Sequence, residues 1–380
     1  MIITVVCDVL GEENNGTTIA AMNLVRFLRS QGHTVRILCS DQDKKGQKDY
    51  YVVPTLNLGK MLNKYVERAG VALAHPDEAI VRKAFDGADV AHVMMPFSLG
   101  MKAVKVANCM NLPVTAGFHV LAHNFTAYIG MHKVRPVNKL VHKFMYAKVF
   151  KNVDAVHYPT KFVREIFEGD IRRKTNGYVI SNGVHDYVKP REVQKPAEFA
   201  DKTVIVTVGR YSNEKAQDVL IRAIKYSRYK DSIQLILAGM GVREKHYRKL
   251  AEDLPVKPIF KFYPRNEIID VLNYSDIYVH PADAELEGIS CIEAITCGRF
   301  TISSDSKYAA TKNFVIDEKC LFRRRNPKDL ARKIDYWIEH SSERRQYEQK
   351  YLERARSFEQ HACMLSMEKM LEEAIHGKER

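Results

Sequence analysis

Ala284-Glu285-Leu286-Glu287-Gly288-Ile289-Ser290-Cys291-Ile292-Glu293-Ala294 holds two carboxylates, Glu285 and Glu293, eight positions apart around a glycine. It follows the apolar run Ile277-Tyr278-Val279, which reads as a buried strand, and it opens a short helical run that Gly298 stops. Strand, tight turn and helix start, in that order, leave backbone N–H groups free to hold an anion or a polar ligand. One carboxylate lies in the turn and the other about two turns into the helix. Such a pair can grip several hydroxyls at once. An anion seat beside a hydroxyl grip suits a sugar nucleotide.

The same strand-to-helix unit recurs along the chain. Ile2–Cys7, Thr34–Leu38, Val90–Met94, Pro113–Phe118, Asp154–Tyr158 and Tyr178–Ile180 read as strands. Thr17 or Thr18 can cap a helix with Ile19, Met22, Val25 and Leu28 along one face, stopped by Gly32. The pattern restarts with strands at Thr203–Val208, Ile233–Ala238, Ile259–Phe262, Ile277–His280 and Phe300–Ser303, and helices at Ala216–Tyr229 and Val242–Asp253. Alternation of this kind predicts an α/β fold with parallel sheets covered on both faces. Two successive sets predict two Rossmann-like domains. The polar stretch Lys189–Pro196 reads as the linker, which gives one domain over 1–188 and a second over 189–361. The segment 327–358 reads as mostly helical, with Trp337 in the core, and Ala362–Ile375 as amphipathic.

At 380 residues the chain exceeds one ordinary core. It is 46% hydrophobic and 28% charged, as soluble globular proteins are, with no apolar run long enough to span a bilayer. The N-terminus reads as a strand rather than a signal peptide. Seven cysteines without a close CxxC pair argue against a disulfide framework or a zinc site and for a reducing compartment. The net charge of +13 is unevenly placed. Residues 1–190 carry 25 Lys/Arg against 16 Asp/Glu, and between Asp89 and Asp154 there are eight Lys/Arg and no acid. A nucleic acid, an anionic membrane or a phosphorylated substrate would each fit that excess.

In open α/β sheets ligands bind beyond the C-terminal strand ends. Gly16, His119, Arg210 with Lys215, Gly239 with Gly241, and Glu285 all fall at such ends. Each alone is weak evidence: a lone histidine is more often a satisfied core residue, and lone Arg and Lys are usually solvated. Their shared topological position is what carries weight. Asp41-Gln42-Asp43 has metal-ligand spacing, but Lys44-Lys45 follow it in a polar loop, so it reads as solvated. No essential metal is expected.

Taken together, Asn15-Gly16, Gly117-Phe118-His119, Ser181-Asn182-Gly183-Val184, Val208-Gly209-Arg210 with Lys215, Leu237-Ala238-Gly239-Met240-Gly241, and Glu285 to Glu293-Ala294 ending in Cys297-Gly298 resemble the retaining glycosyltransferases of family 4. Within that family the chain is most similar to bacterial enzymes that glycosylate diacylglycerol. The resemblance implies the GT-B fold: two Rossmann-like domains facing across a cleft, with the C-terminal helix, 362–380, returning to the N-terminal domain. It departs from the family where Lys215-Ala216 replaces Lys-Gly and where Leu286-Glu287-Gly288-Ile289 replaces a Gly-Phe-Gly turn.

The resemblance also implies roles. His119, Glu285, Arg210 and Lys215 would be the catalytic set. Gly16, Arg210, Lys215, Gly239, Gly241, Glu285, Gly288, Ile289 and Glu293 would bind the donor, a UDP-sugar. Glu293 would hold the ribose hydroxyls, Glu285 the transferred sugar, and His119 the sugar's 6-hydroxyl. Arg210 and Lys215 would neutralise charge building on the departing diphosphate, Arg as a fork and Lys as a point charge. The implied reaction moves a hexose, glucose from UDP-glucose above others, to a lipid hydroxyl such as diacylglycerol. A glycan acceptor, or a non-catalytic sugar-nucleotide sensor, is the alternative.

Two basic amphipathic segments bear on the acceptor. In Leu56–Arg68, Leu58, Met61, Leu62, Tyr65 and Val66 share a helical face flanked by Lys60, Lys64 and Arg68. In Asn138–Lys151, Leu140, Phe144 and Val149 stand among Lys139, Lys143, Lys148 and Lys151. Helices of this kind lie on anionic membranes, where each Lys or Arg contributes about 1 kcal/mol. The apolar face of 138–151 can equally pack on the sheet while its lysines face lipid. The expected location is therefore cytoplasmic, peripheral on the inner face of the membrane. Nucleic acid is not an expected partner, since no binding motif or aromatic stacking platform accompanies the charge.

Overall fold

The computed structural model describes residues 1–8, 10, 16–55, 74–122 and 135–378. Leu56–Arg68, with Lys60, Lys64 and Arg68, lies outside the described residues.

The chain divides into two compact units, Met1–Asn182 with His361–Arg380, and Gly183–Gln360. The first is built on a seven-stranded sheet of β1 (Ile2–Val6), β2 (Thr34–Cys39), β3 (Tyr50–Val52), β4 (Val90–Val93), β5 (Val114–Gly117), β6 (Ala155–Tyr158) and β7 (Gly177–Val179). Its order is β3-β2-β1-β4-β5-β6-β7, and every described pairing is parallel. Parallel strands need crossovers. These include helices α1 (Gly16–Ser30), α2 (Glu78–Phe85), α3 (Ser98–Cys109), α4 (Arg135–Met145), continued by a π-helical turn at Tyr146–Phe150, and α5 (Lys161–Ile171). Helix α1 begins at Gly16, so Thr17 and Thr18 sit in its first turn rather than capping it.

The second unit repeats the plan with six strands: β8 (Thr203–Val208), β9 (Ile233–Ala238), β10 (Ile259–Lys261), β11 (Ile277–His280), β12 (Phe300–Ser304) and β13 (Leu321–Phe322), ordered β10-β9-β8-β11-β12-β13 and again parallel. Its helices are α6 (Gln217–Tyr226), α7 (Glu244–Leu250), α8 (Arg265–Tyr274), α9 (Ile289–Thr296), α10 (Pro327–Glu339) and α11 (Ser341–Ala355). Trp337 is fully buried, its ring 4.3 Å from that of Phe300.

The C-terminal helix, α12 (Gln360–Lys378), belongs to the first unit. Cys363, Met364, Met367, Met370 and Leu371 join Ile3, Val5, Leu24 and Val25 in one apolar cluster. The fold is thus two Rossmann-like parallel sheets, with the last helix serving the first.

Two expectations need correcting. Lys189–Pro196 falls in the second unit, as a domain over 189–361 would have it, but it is no free linker. Arg191 is paired with Asp270 at 2.6 Å, and Lys195 with Asp276 at 2.8 Å. Asp41 is not solvated either: it is buried, and its carboxylate accepts from the Leu10 amide at 2.8 Å.

Candidate active site

In the second sheet the strand order reverses between β8 and β11, which makes their C-terminal ends the topological switch point. The loops there are fastened to one another through backbone. The Asp283 amide donates to the Glu214 carbonyl at 2.7 Å, which draws the loop after β11 onto the loop after β8. The Glu285 amide donates to the Tyr308 carbonyl at 3.0 Å, and the Ala310 amide to the Glu285 carbonyl at 2.9 Å. The loop after β9 packs as tightly. A Cβ at Gly239 would lie 2.1 Å from the Gly209 carbonyl oxygen, and one at Gly241 2.5 Å from that of Tyr211. Only glycine permits such an approach.

Ala216 stands where the resemblance leads one to expect glycine, yet its φ is +55°. The left-handed conformation is kept at a cost of about 1–2 kcal/mol. That conformation turns the chain into α6 directly after Lys215.

This framework brings Lys215 and Glu285, seventy residues apart in sequence, into a direct ion pair. His280 Nε2 approaches the same carboxylate oxygen at 3.3 Å. Burial alone would push the Glu285 carboxyl up, but the charge of Lys215 and the His280 hydrogen bond hold it down to about 2. It is therefore an anion at neutral pH. His280 is itself pushed down by burial, against the pull of Glu285. Arg210, at the head of the β8 loop, has a side chain 56% exposed and pairs with Glu214 at 3.3 Å. Gly288, at φ +81°, precedes α9, so Ile289 is the helix's first residue and its amide is among the groups with no intrahelical partner.

Glu293 sits further along α9, 2% exposed, and is paired with Arg265. Burial raises its carboxyl and the Arg265 charge opposes that rise. Arg265 begins α8, just past β10, and its Nε donates to the Tyr187 hydroxyl at 3.0 Å. Glu285 and Glu293 thus each have a cationic partner. Reading the sequence missed Arg265 and His280. The signal for His280 was present, as a polar residue in the buried run Ile277–His280; Arg265, next to a proline in a polar turn, gave none.

The first unit holds His119, two residues beyond Gly117, the last residue of β5. It is buried, its ring centroid lies 5.3 Å from that of His157 of β6, and it lines one cavity with His92 of β4. The three flank a cavity of about 10 Å³ that Met364 and Met367 help to line. His92 Nε2, His119 Nε2 and His157 Nδ1 have no hydrogen-bond partner among the described residues. A Cβ at Gly117 would sit 2.5 Å from His119 Nε2 and 3.6 Å from His92 Nε2. Burial drives all three imidazoles down, His92 to about 3, His157 to about 4 and His119 well below its usual value. His119 is therefore neutral. Gly16 heads α1, exposed and with open space around it, so its smallness answers no packing need. Among the described residues no group of three or more His, Cys, Asp or Glu is arranged to hold a metal ion.

Residues 14–186 match the family described as Glycosyltransferase Family 4, and residues 188–354 match Glycosyl transferases group 1. The chain is a family 4 glycosyltransferase. The alpha-monoglucosyldiacylglycerol synthase of Streptococcus pneumoniae is 22% identical over 314 residues, 77% of this chain and 69% of that protein. The yeast phosphatidylinositol N-acetylglucosaminyltransferase GPI3 subunit is 28% identical over 119 residues, 30% of this chain and 26% of that one. Anabaena HepE, solved with UDP, superposes with a TM-score of 0.75 at 16% identity, over 98% of this chain and 100% of its own. That last likeness shows the GT-B fold.

Proposed function

We propose that this glycosyltransferase moves a hexose, glucose from UDP-glucose first among them, with retention of anomeric configuration, to a membrane-lipid hydroxyl such as that of diacylglycerol. The observation that carries the reading is the contact of Lys215 with Glu285 at the switch point, beside the first turn of α9. Cleaving the sugar–diphosphate bond loads charge onto phosphate oxygens. Lys215 and Arg210 are cations of the right kind for that charge, and the first amides of α9 add fixed donors. Glu285 accepts hydrogen bonds from the sugar hydroxyls. Glu293, once Arg265 yields it, accepts from the ribose. The acceptor oxygen bonds to the anomeric carbon on the face the diphosphate leaves, and its proton passes to the departing phosphate oxygen. No second protein carboxylate is then needed as base.

Three facts support the lipid acceptor. The Streptococcus pneumoniae relative is named alpha-monoglucosyldiacylglycerol synthase. Helix α4 buries Asn138, His142 and Met145 but leaves Leu140 68% and Phe144 50% exposed. Lys143 and Lys148 are exposed around them, and Lys139 is half-buried. The helix thus offers two apolar side chains within a ring of lysines, while Val149 packs inside. No helix among the described residues is long and apolar enough to cross a membrane, so attachment through this face would be peripheral.

Incubation with UDP-glucose and diacylglycerol in anionic vesicles should yield α-hexosyl-diacylglycerol by mass spectrometry. Replacing both Leu140 and Phe144 with serine should weaken vesicle binding at least about tenfold. UDP release without a lipid product would move the acceptor to a soluble glycan and leave the donor reading standing. Separately, Glu293→Ala should weaken UDP binding about tenfold or more, the value of a charged hydrogen bond. Wild-type affinity in calorimetry would remove Glu293 from the donor site.

A further inference from the structure

Strand β11 buries two polar side chains, Tyr278 and His280, at alternate positions and hence on one face of the sheet. Tyr278 is fully buried and His280 is 1% exposed. Apolar side chains would serve a core strand better, since each buried polar group must find a partner. Here the partners form one continuous line. The Glu285 carboxylate can only accept, so His280 donates to it from Nε2, across 3.3 Å. His280 Nδ1 lies 3.0 Å from the Tyr278 hydroxyl. That hydroxyl is 3.1 Å from Ser290 Oγ, which is 3.1 Å from the Val208 carbonyl oxygen. Ser290 is the second residue of α9, and Val208 ends β8.

The line therefore spans the site. One end holds the carboxylate, and the other is fastened to the helix start and to the strand that leads to Arg210. Glu285 has a second partner in Lys215, whose side chain is 22% exposed and is carried on a loop. An arriving diphosphate competes for that ammonium group, and its charge exceeds that of one carboxylate. His280 has no such freedom, since its ring is enclosed and held at both nitrogens.

We propose that His280 is a positioning residue for Glu285, braced by Tyr278 and Ser290, and that it keeps the carboxylate in place after a donor diphosphate has drawn Lys215 away. The inference rests on the reading of this switch point as the donor site. It predicts a division of labour. Lys215 and Glu293 govern binding of the nucleotide, whereas His280 acts on the bound donor and so on turnover.

The test compares His280→Leu, His280→Gln and Tyr278→Phe with the parent enzyme, using UDP for binding and UDP-glucose for turnover, read as UDP release. His280→Leu removes the donor to Glu285, and its kcat should fall about 10- to 100-fold, the range found when the hydrogen-bond partners that orient metal-ligating side chains are lost. Its Kd for UDP should stay within about twofold, because nothing that touches the nucleotide has changed. His280→Gln offers an N–H₂ donor again and should recover most of the loss. Tyr278→Phe keeps the ring and removes only the brace, so kcat should fall by a smaller factor with UDP binding unchanged. An unchanged kcat in both His280→Leu and Tyr278→Phe would overturn the proposal. So would a kcat loss matched by an equal loss of UDP affinity, or one that glutamine does not relieve, since either marks a merely structural role. If His280→Leu does not fold, the glutamine and Tyr278→Phe variants decide alone. Glu293→Ala and Lys215→Ala serve as controls: if they too bind UDP and turn over like the parent, the donor-site reading itself fails.

Discussion

Lys215→Ala is expected to lower turnover of UDP-glucose by about 10²–10³-fold, the usual value of one preorganised charge at a developing anion. The same change should destabilise the second unit by about 3 kcal/mol. Glu285 is 14% exposed at its side chain and has its carboxyl held down to about 2. Removing one partner of such a pair leaves an uncompensated charge in a place poorly reached by water. The sign with pH follows. The stability gained from ionised Glu285 is fully present above about pH 4.5 and is lost as pH falls through the folded value near 2. Lys215→Ala raises that folded value, so its deficit in stability persists at neutral pH and narrows in acid.

Combining the change with Glu285→Gln should return much of the stability and none of the turnover, because the buried charge is gone while the cation for the diphosphate is still missing. A Lys215→Ala enzyme with wild-type kcat would remove Lys215 from the mechanism. A variant as stable as the parent would mean that His280 alone supports the carboxylate.

The first unit is expected to unfold in mild acid well before the second. His92, His119 and His157 sit buried and neutral, with depressed protonation equilibria. Unfolded, each would titrate near 6.5. Between that value and about pH 4 the unfolded chain binds more protons, so stability falls as pH falls. From pH 7 to pH 5 each histidine costs about 2 kcal/mol. Asp8 works the other way. Burial raises its carboxyl to about 7, against hydrogen bonds from the Ala74 and Leu99 amides, so protonation favours the folded unit over this range by about the same amount. The net loss is about 4 kcal/mol, a large part of the 5–15 kcal/mol typical of a domain. Urea melts at pH 7 and pH 5 should show an early transition that moves strongly with pH. His157→Gln should flatten that dependence by about one half, since its amide can still donate to the Ile180 carbonyl that His157 Nε2 meets at 2.7 Å. A transition that does not move with pH would mean that these histidines are hydrated or already charged.

The architecture was legible because parallel strands announce themselves. Runs such as Ile2–Val6 and Thr203–Val208 are buried on both faces and are therefore predominantly apolar. What escaped were the edges: Tyr50–Val52 and Leu321–Phe322 are short, and the pairing of a neighbour rather than their own composition makes them strands. The linker reading of Lys189–Pro196 failed for a related reason. Lys189–Pro196 is polar, but Arg191 and Lys195 meet Asp270 and Asp276 some eighty residues later, and polarity alone does not disclose a partner.

By itself, then, the sequence determined the fold class and the strand end on which the proposed chemistry rests. A strand, a glycine turn and a helix start place Glu285 and Glu293 at a strand end by local geometry, with spacing that survives any packing. Only the tertiary structure decided what each side chain does there. Sheet register aligns His92 with Thr115 and Gly117 with His157, and so encloses His119 among imidazoles from two other strands. Loop-to-loop hydrogen bonds bring Lys215 to Glu285, and burial on β11 turns His280 from a strand residue into that carboxylate's support. Those effects depend on which distant groups share a low-dielectric space, and that is a property of the packed chain rather than of any segment.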